Sequence, residues 1–289
     1  MTGNTLGWVI VAFVLYLLMM IAIGALYAKG NNNSEDYFLG GRKLNGFVAA
    51  LSAQASDMSG WLLMGLSGAI YLTGVGGDGW IAIGLFIGTT LNWLLIATKL
   101  RRYTIRANNS VTLPTYFENR FHDEKKVLMT VSSITIVVFF LVYCASALSA
   151  GGQLFESVFG IDYHVALTIG ALVVLVYTFL GGYMAVSWSN LLQGALMFVA
   201  LLLVPLYAIF HMGGFGVLAQ NLASLDPEFF NFLHGTTDPV QIVVLVSGGL
   251  GIGFMYPGMV HALTGLIAIK DPQEIKDAGL IATIWGCAA

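Results

Sequence analysis

The sequence predicts an all-α polytopic membrane protein of about seven full spans and part of an eighth, arranged as inverted five-helix repeats. Three observations carry that prediction. Of the 289 residues, 57% are hydrophobic and only 9% are charged, whereas soluble domains carry about 25% charged residues. Apolar runs long enough to cross a bilayer recur at residues 6–27, 44–74, 79–98, 127–157, 163–186, 189–212 and 240–269. The second and seventh runs hold residues that interrupt a helix and lie five spans apart, and an odd repeat length inverts the second copy relative to the first.

The first run lacks a positive leading segment and a small-residue cleavage site, so it reads as an uncleaved helix. With the loop that follows, it forms a lead-in over residues 1–43. The second run, Leu44 to Gly74, contains Asp57 and no other charged residue. As one helix its thirty-one residues would reach about 46 Å, against a hydrocarbon core of about 30 Å. A break among the Ala, Ser and Gly residues around Asp57 is therefore expected, freeing backbone carbonyls there. An aspartate at that depth costs about 2.5–3.5 kcal/mol even on a lenient scale. No Lys or Arg lies in any apolar run. Two compensations remain open: protonation, or a small hard cation held by the carboxylate, freed carbonyls and the hydroxyls of Ser56 and Ser59.

Runs two to six, residues 44–212, make the first repeat. Asn92 and Trp93 in run three, and Cys144 and Ser146 in run four, suit helix–helix contacts. Tyr143 is open between packing and solute contact. Glu156 and His211 sit at outer boundaries, and His261 inside run seven reads as a core imidazole or a proton relay. Gly151–Gly152 and Gly181–Gly182 allow close backbone approach. The inner loop, residues 99–126, carries Pro114 where a short surface helix would begin. The outer loop, 213–239, is expected to fold as a cap. Run seven packs five glycines and Pro257 between Val246 and Val260, a density expected to break the helix itself. Residues 240–289 open the second repeat. Its next run stops twelve residues after Ala278, which suggests a fragment of a longer chain forming a single transmembrane domain.

Charge sets the orientation. All 12 basic residues fall on one side of a seven-span threading: Lys29, Arg42 and Lys43, then the cluster from Lys99 to Lys126, then Lys270 and Lys276. By the positive-inside rule that side is cytoplasmic and the N-terminus is outside, in a cell (inner) membrane. No basic cluster with interleaved aromatics points to nucleic acid. Cys144 and Cys287 both lie in apolar runs, so no disulfide framework is indicated. Nothing suggests an enzyme, a prosthetic group or an obligate protein partner.

The run Ala-Leu-Ser-Ala-Gln-Ala-Ser-Asp-Met-Ser-Gly-Trp-Leu-Leu-Met-Gly, ending at Gly65, resembles the sodium/solute symporter family, in particular its sodium/proline branch. Asp-Tyr-Phe-Leu-Gly-Gly-Arg (36–42), Thr-Leu-Pro-Thr-Tyr-Phe (112–117), Tyr-Cys-Ala-Ser (143–146), Leu-Phe-Glu-Ser (154–157) and Gly-Gly-Tyr-Met-Ala-Val-Ser-Trp-Ser-Asn-Leu-Leu-Gln (181–193) also fit. The resemblance covers residues from about 10 to 260. It implies leucine-transporter-like inverted repeats and sodium-driven uptake of a small organic solute, an amino acid such as proline, by alternating access. Asp57 and Ser59 match side chains tied to sodium, and Ala55, Met58 and Gly60 match the unwound backbone beside them. Gln54, Trp61, Tyr143, Tyr256 and Pro257 are the candidates for solute contact, and Arg42 and Asn190 for coupling or gating. Asn190 replaces an aspartate of the family motif, and run seven departs from the aromatic pattern of the proline branch. Proton coupling, or a symporter-like sensor domain of a signalling protein, are the alternatives.

Overall fold

The computed structural model describes residues 3–57, 60, 65–233 and 235–288. It is built of helices, in the order α1 (Gly3–Ala28), α2 (Ser34–Leu39), a tight turn at Gly40–Arg42, α3 (Gly46–Asp57) and α4 (Ser67–Leu91). A wide π turn at Asn92–Ala97 leads into α5 (Thr98–Arg106), followed by α6 (Leu113–Phe121), α7 (Val127–Phe159), α8 (Tyr163–His211) and α9 (Phe215–Leu225). Then come α10 (Pro239–Met255), a 3-10 turn at Tyr256–Gly258, α11 (Val260–Ile267) and α12 (Ile275–Ala288). Five stretches among the described residues are long and apolar enough to cross a membrane. Two of them are too long to be single straight rods: α8, with 49 residues, would reach about 73 Å.

Glycine resolves the excess length, at places the sequence reading put slightly elsewhere. In α8 the backbone turns left-handed at Gly182 (φ 57°), not between residues 186 and 189. Ser187 stays helical because its hydroxyl donates to the Tyr183 carbonyl at 2.8 Å. A Cβ on Gly182 would lie 2.8 Å from the Tyr37 carbonyl oxygen, so the expected close approach is real. In α4 the kink falls at Gly74 (φ 73°), and the loop expected around Asp78 is absent: Asp78 lies within α4. There it accepts from the Thr73 hydroxyl at 3.0 Å.

The interruption of run seven also needs correcting. The helix α10 runs through Gly248, Gly249, Gly251 and Gly253 and breaks only at Tyr256–Gly258, around Pro257. Proline removes a helical donor and clashes with the preceding turn, whereas glycine merely weakens a helix. The glycines serve packing against α4. A Cβ on Gly84 would lie 2.6 Å from the Gly249 carbonyl oxygen, and one on Gly88 or Gly253 would overlap the facing backbone. Two small-xxx-small pairs, Gly84/Gly88 and Gly249/Gly253, thus bring the axes together.

Other expectations hold. Thr112 caps α6 through the Thr115 N–H, with Pro114 in its first turn. The outer loop folds as a cap: α9 is followed by a strap whose Phe229 carbonyl accepts from Val75 N–H at 2.8 Å, beside the Gly74 kink. The indole of Trp80 donates to the Phe232 carbonyl at 2.9 Å. Glu156 and His211 are exposed, and Trp93 packs against Gly279.

The best-packed region is small and lies towards the basic loops. Leu44, Val48, Ala49 and Ala53 interlock there with Trp93, Leu100, Leu266, Ile269 and Ile275. The helix α3 runs through this core and packs on α8, α11 and α12.

Gly88→Ala should separate α4 from α10 and lower stability by about 1–3 kcal/mol through overpacking, read as a drop in melting temperature of the purified full-length protein. Gly248→Ala, where an added Cβ meets nothing within 4 Å, should leave it unchanged or raised.

Candidate solute and cation site

Asp57 is the last described residue of α3 before Gly60, and α4 begins at Ser67. Gly60 between them is helical and Gly65–Leu66 form a π turn. Three residues expected at the site, Met58, Ser59 and Trp61, lie outside the described residues. Beside this junction is a cavity of about 560 Å³, well inside the range of small-molecule sites.

Helices α3, α4, α7, α11 and α12 build most of its wall, with Leu201 of α8 and Ile252 of α10. Gln54 and Asp57 come from α3, Phe86, Thr89 and Thr90 from α4, Tyr143 from α7, and Met259 and His261 from the start of α11. Thr283, Trp285 and Gly286 of α12 close the far side. The lining is largely aliphatic and aromatic, with a few polar groups converging on it, which is the composition of a site for a compact solute of mixed polarity.

Of the expected residues, Gln54, Asp57 and Tyr143 are thus brought together. Tyr256 stands one layer behind. Only 1% exposed, it donates its hydroxyl to the Gln54 side-chain carbonyl at 3.3 Å. The Gln54 amide N–H donates in turn to the Ala282 carbonyl at 2.8 Å. Gln54 therefore ties α3 to the turn before α11 and to α12, with both halves of its amide engaged. Pro257 makes the adjoining turn. Ala55 is buried where α3 passes Gly194 of α8.

The two coupling candidates sit outside this lining. Asn190 on α8 donates to the hydroxyls of Ser56 at 2.8 Å and Ser52 at 3.3 Å. Ser56 itself donates to the Ser52 carbonyl at 2.8 Å, so its hydroxyl both donates and accepts in helix contacts beside Asp57. Arg42 lies on the basic side, where its guanidinium donates to Glu35 and to the Ser110 carbonyl, each at 2.9 Å. Burial pushes its pKa down, and the adjacent Glu35 carboxylate pulls it back up.

One partner escaped the sequence reading. That reading found no Lys or Arg near Asp57 and left its compensation to a proton or an external cation. The structure sets His261 Nε2 3.5 Å from Asp57 Oδ1. The contact is close enough for an ion pair if the imidazole is protonated, but Nε2 makes no hydrogen bond with the described residues. The His261 ring stacks on Tyr143 at 5.8 Å, interplanar angle 15°. A histidine four residues past a helix-breaking proline was the available signal, but nothing in the local pattern says which way it points. The α12 residues were missed for a plainer reason: their run reads as too short to span.

The sequence profile of the Sodium:solute symporter family matches residues 37–288. The chain is 47% identical over 266 residues to the high-affinity proline transporter PutP of Bacillus subtilis, covering 92% of this chain and 55% of that one. It is 44% identical over 276 residues to the sodium/proline symporter of Escherichia coli, covering 96% and 54%. It spans about half the length of these curated relatives. Among solved structures, one of a Na+-coupled sialic acid symporter in a substrate-bound outward-open state matches with a TM-score of 0.77. That match covers 94% of this chain and 55% of the other at 19% identity, so it speaks for the fold alone. With its fold, its motifs and the family profile in agreement, the chain belongs to the sodium:solute symporter family.

Proposed function

We propose that this chain serves sodium-coupled import of a small organic solute, proline foremost, by alternating access across the cell membrane. The observation that carries the reading is Asp57, an acid inside an apolar run, carried by α3 on the wall of a 560 Å³ cavity. A carboxylate there needs a compensating charge, and a cation taken from one side and released on the other supplies both the compensation and the driving force. The relatives named as proline transporters at 44–47% identity support the solute.

In this reading Asp57 holds sodium with Ser59 and with the backbone at Ala55, Met58 and Gly60. The solute sits beside it, against Tyr143 and the α12 wall, with Gln54, Trp61, Tyr256 and Pro257 shaping that space. Asn190 steadies Ser52 and Ser56, and Arg42 braces the inner side. The chain crosses the membrane seven times with its N-terminus outside, and the kinks at Gly74 and Gly182 separate consecutive crossings. Sodium and solute each bind more tightly when the other is present, and that relation is reciprocal.

A second reading has one observation in its favour. The nearness of His261 to Asp57 is the arrangement a proton-coupled carrier would use. Uptake that follows pH and ignores sodium at a fixed membrane potential would select it.

Asp57→Asn in the full-length protein, reconstituted in vesicles, should abolish sodium-stimulated proline uptake. Uptake that persists with an unchanged half-saturating sodium concentration would sink the role. Tyr256→Phe leaves the Gln54 carbonyl without its donor and should cost about 1–3 kcal/mol, seen in thermal unfolding without solute.

A further inference from the structure

On the side that carries the basic loops, α5, the entry of α3 and the α11–α12 connection are tied together, and the Arg101 and Glu274 side chains make two of the ties. Arg101, in α5, is 4% exposed. Its Nε donates to the Ile269 carbonyl at 2.7 Å and its Nη2 to the Lys270 carbonyl at 3.4 Å. Those two residues form the connection from α11 to α12. The same connection is stitched to the entry of α3: Leu44 and Ile269 form an isolated parallel bridge, and Lys270 N–H donates to the Leu44 carbonyl at 2.8 Å. One turn further on, Gly46 N–H donates to the Glu274 carboxylate at 2.6 Å.

Beneath these contacts lies the packed core of Leu44, Val48, Leu263, Leu266 and Ile269. Gln54 and Asp57 at the cavity are eight and eleven residues along α3 from Gly46, roughly 12–16 Å. Core and contacts together separate the cavity from the cytoplasmic side. A charge-assisted hydrogen bond to a carbonyl away from water is worth more than a neutral one, and Arg101, 4% exposed with two carbonyl acceptors, is the most buried charged tie across this plane. The closure is incomplete in one respect. The Nη1 atoms of both Arg101 and Arg42 are buried and make no hydrogen bond with the described residues. Parting the segments would let water reach them, which lowers the cost of opening.

We propose that Arg101 is the bolt of the inner gate, a positioning residue whose grip on the Ile269 and Lys270 carbonyls sets how much of the protein stays closed to the cytoplasm. The inference rests on the alternating-access reading above, in which one face closes while the other opens. A ligand that prefers one state shifts the balance only by its differential affinity, so weakening the bolt should move the resting population inward.

The test uses thiol accessibility, which needs neither sodium nor proline. In the full-length protein with Cys144 and Cys287 changed to Ser, Leu263→Cys reports from under the gate and Thr283→Cys from the cavity wall. A membrane-impermeant maleimide is applied from the cytoplasmic face to the first and from the outer face to the second. Arg101→Gln should raise cytoplasmic labelling of the Leu263→Cys reporter at least about tenfold and slow outer labelling of the Thr283→Cys reporter. Arg101→Lys should fall between. Unchanged rates, or faster labelling on both faces, would overturn the proposal, the latter being the mark of general loosening.

If Arg101→Gln fails to reach the membrane, a cross-link takes its place. Neighbouring strands lie about 4.8 Å apart, within the span of a disulfide, so Leu44→Cys with Ile269→Cys bridges the same plane. Oxidation should hold cytoplasmic labelling at its slow rate in the Arg101→Lys background, and reduction should release it. Fast labelling despite the cross-link would overturn the gate. If the wild-type protein takes up no proline while labelling responds as described, the solute reading fails and the gate stands.

Discussion

A carboxylate held at membrane depth has to be matched by opposite charge or lose its own, and Asp57 imposes that condition on everything around it. In hydrocarbon the unmatched state is expensive on either scale of insertion cost. The fold places Asp57 on the wall of the cavity and brings His261 to 3.5 Å of it from the start of α11. The two groups belong to helical segments separated by two hundred residues of chain, so whatever compensates Asp57 also governs how α3 stands relative to α11. That is the physical basis for coupling an ion to a movement.

The rest of the architecture makes such a movement affordable without unfolding. The junction between α4 and α10 is nearly all backbone, with Gly84 and Gly88 meeting Gly249 and Gly253, and a contact of that kind is rigid because it has no side chains to rearrange. The cavity is assembled from helices that meet through few polar ties: the Gln54 amide joins three of them by two hydrogen bonds. Towards the basic loops the ties multiply, with Arg42 donating to the Ser110 carbonyl, Arg101 to the Ile269 carbonyl and Gly46 N–H to the Glu274 carboxylate. A stiff glycine seam, a loosely tied cavity and a bolted inner plane together describe a body whose two faces can differ in how firmly they close.

Much of the site was legible because a charge inside an apolar run cannot be accidental. Asp57, Gln54 and Tyr143 all line one cavity, and Tyr256 braces it from behind. The misplacements share a cause. Run seven was expected to break between residues 246 and 260 on its five glycines and Pro257. The break falls at Tyr256–Gly258, while Gly248, Gly249, Gly251 and Gly253 lie in a regular helix, since glycine permits a break and proline compels one. The boundary in α8 fell at Gly182 instead of at the polar residues beyond it, because a serine hydroxyl can satisfy itself on its own helix. His261 was weighed as a core imidazole or a proton relay without being tied to Asp57, and Thr89, Thr90 and the α12 residues were passed over. Whether a polar group on a helix faces a cavity depends on the rotation of that helix, which its own sequence does not state.

Hydropathy and charge add up locally along a chain. The sequence by itself therefore determined that this is a membrane protein, where its apolar runs lie, that its basic loops share one side, and that Asp57 demands a partner. Contacts between distant segments are not additive in that way. Only the tertiary structure decided that His261 comes within 3.5 Å of Asp57, that the glycines of α4 and α10 are one seam, and that Arg101 reaches across to Ile269. Each of those depends on where a helix kinks and which face it then turns inward, and a single residue such as Gly74, Gly182 or Pro257 redirects all that follows it.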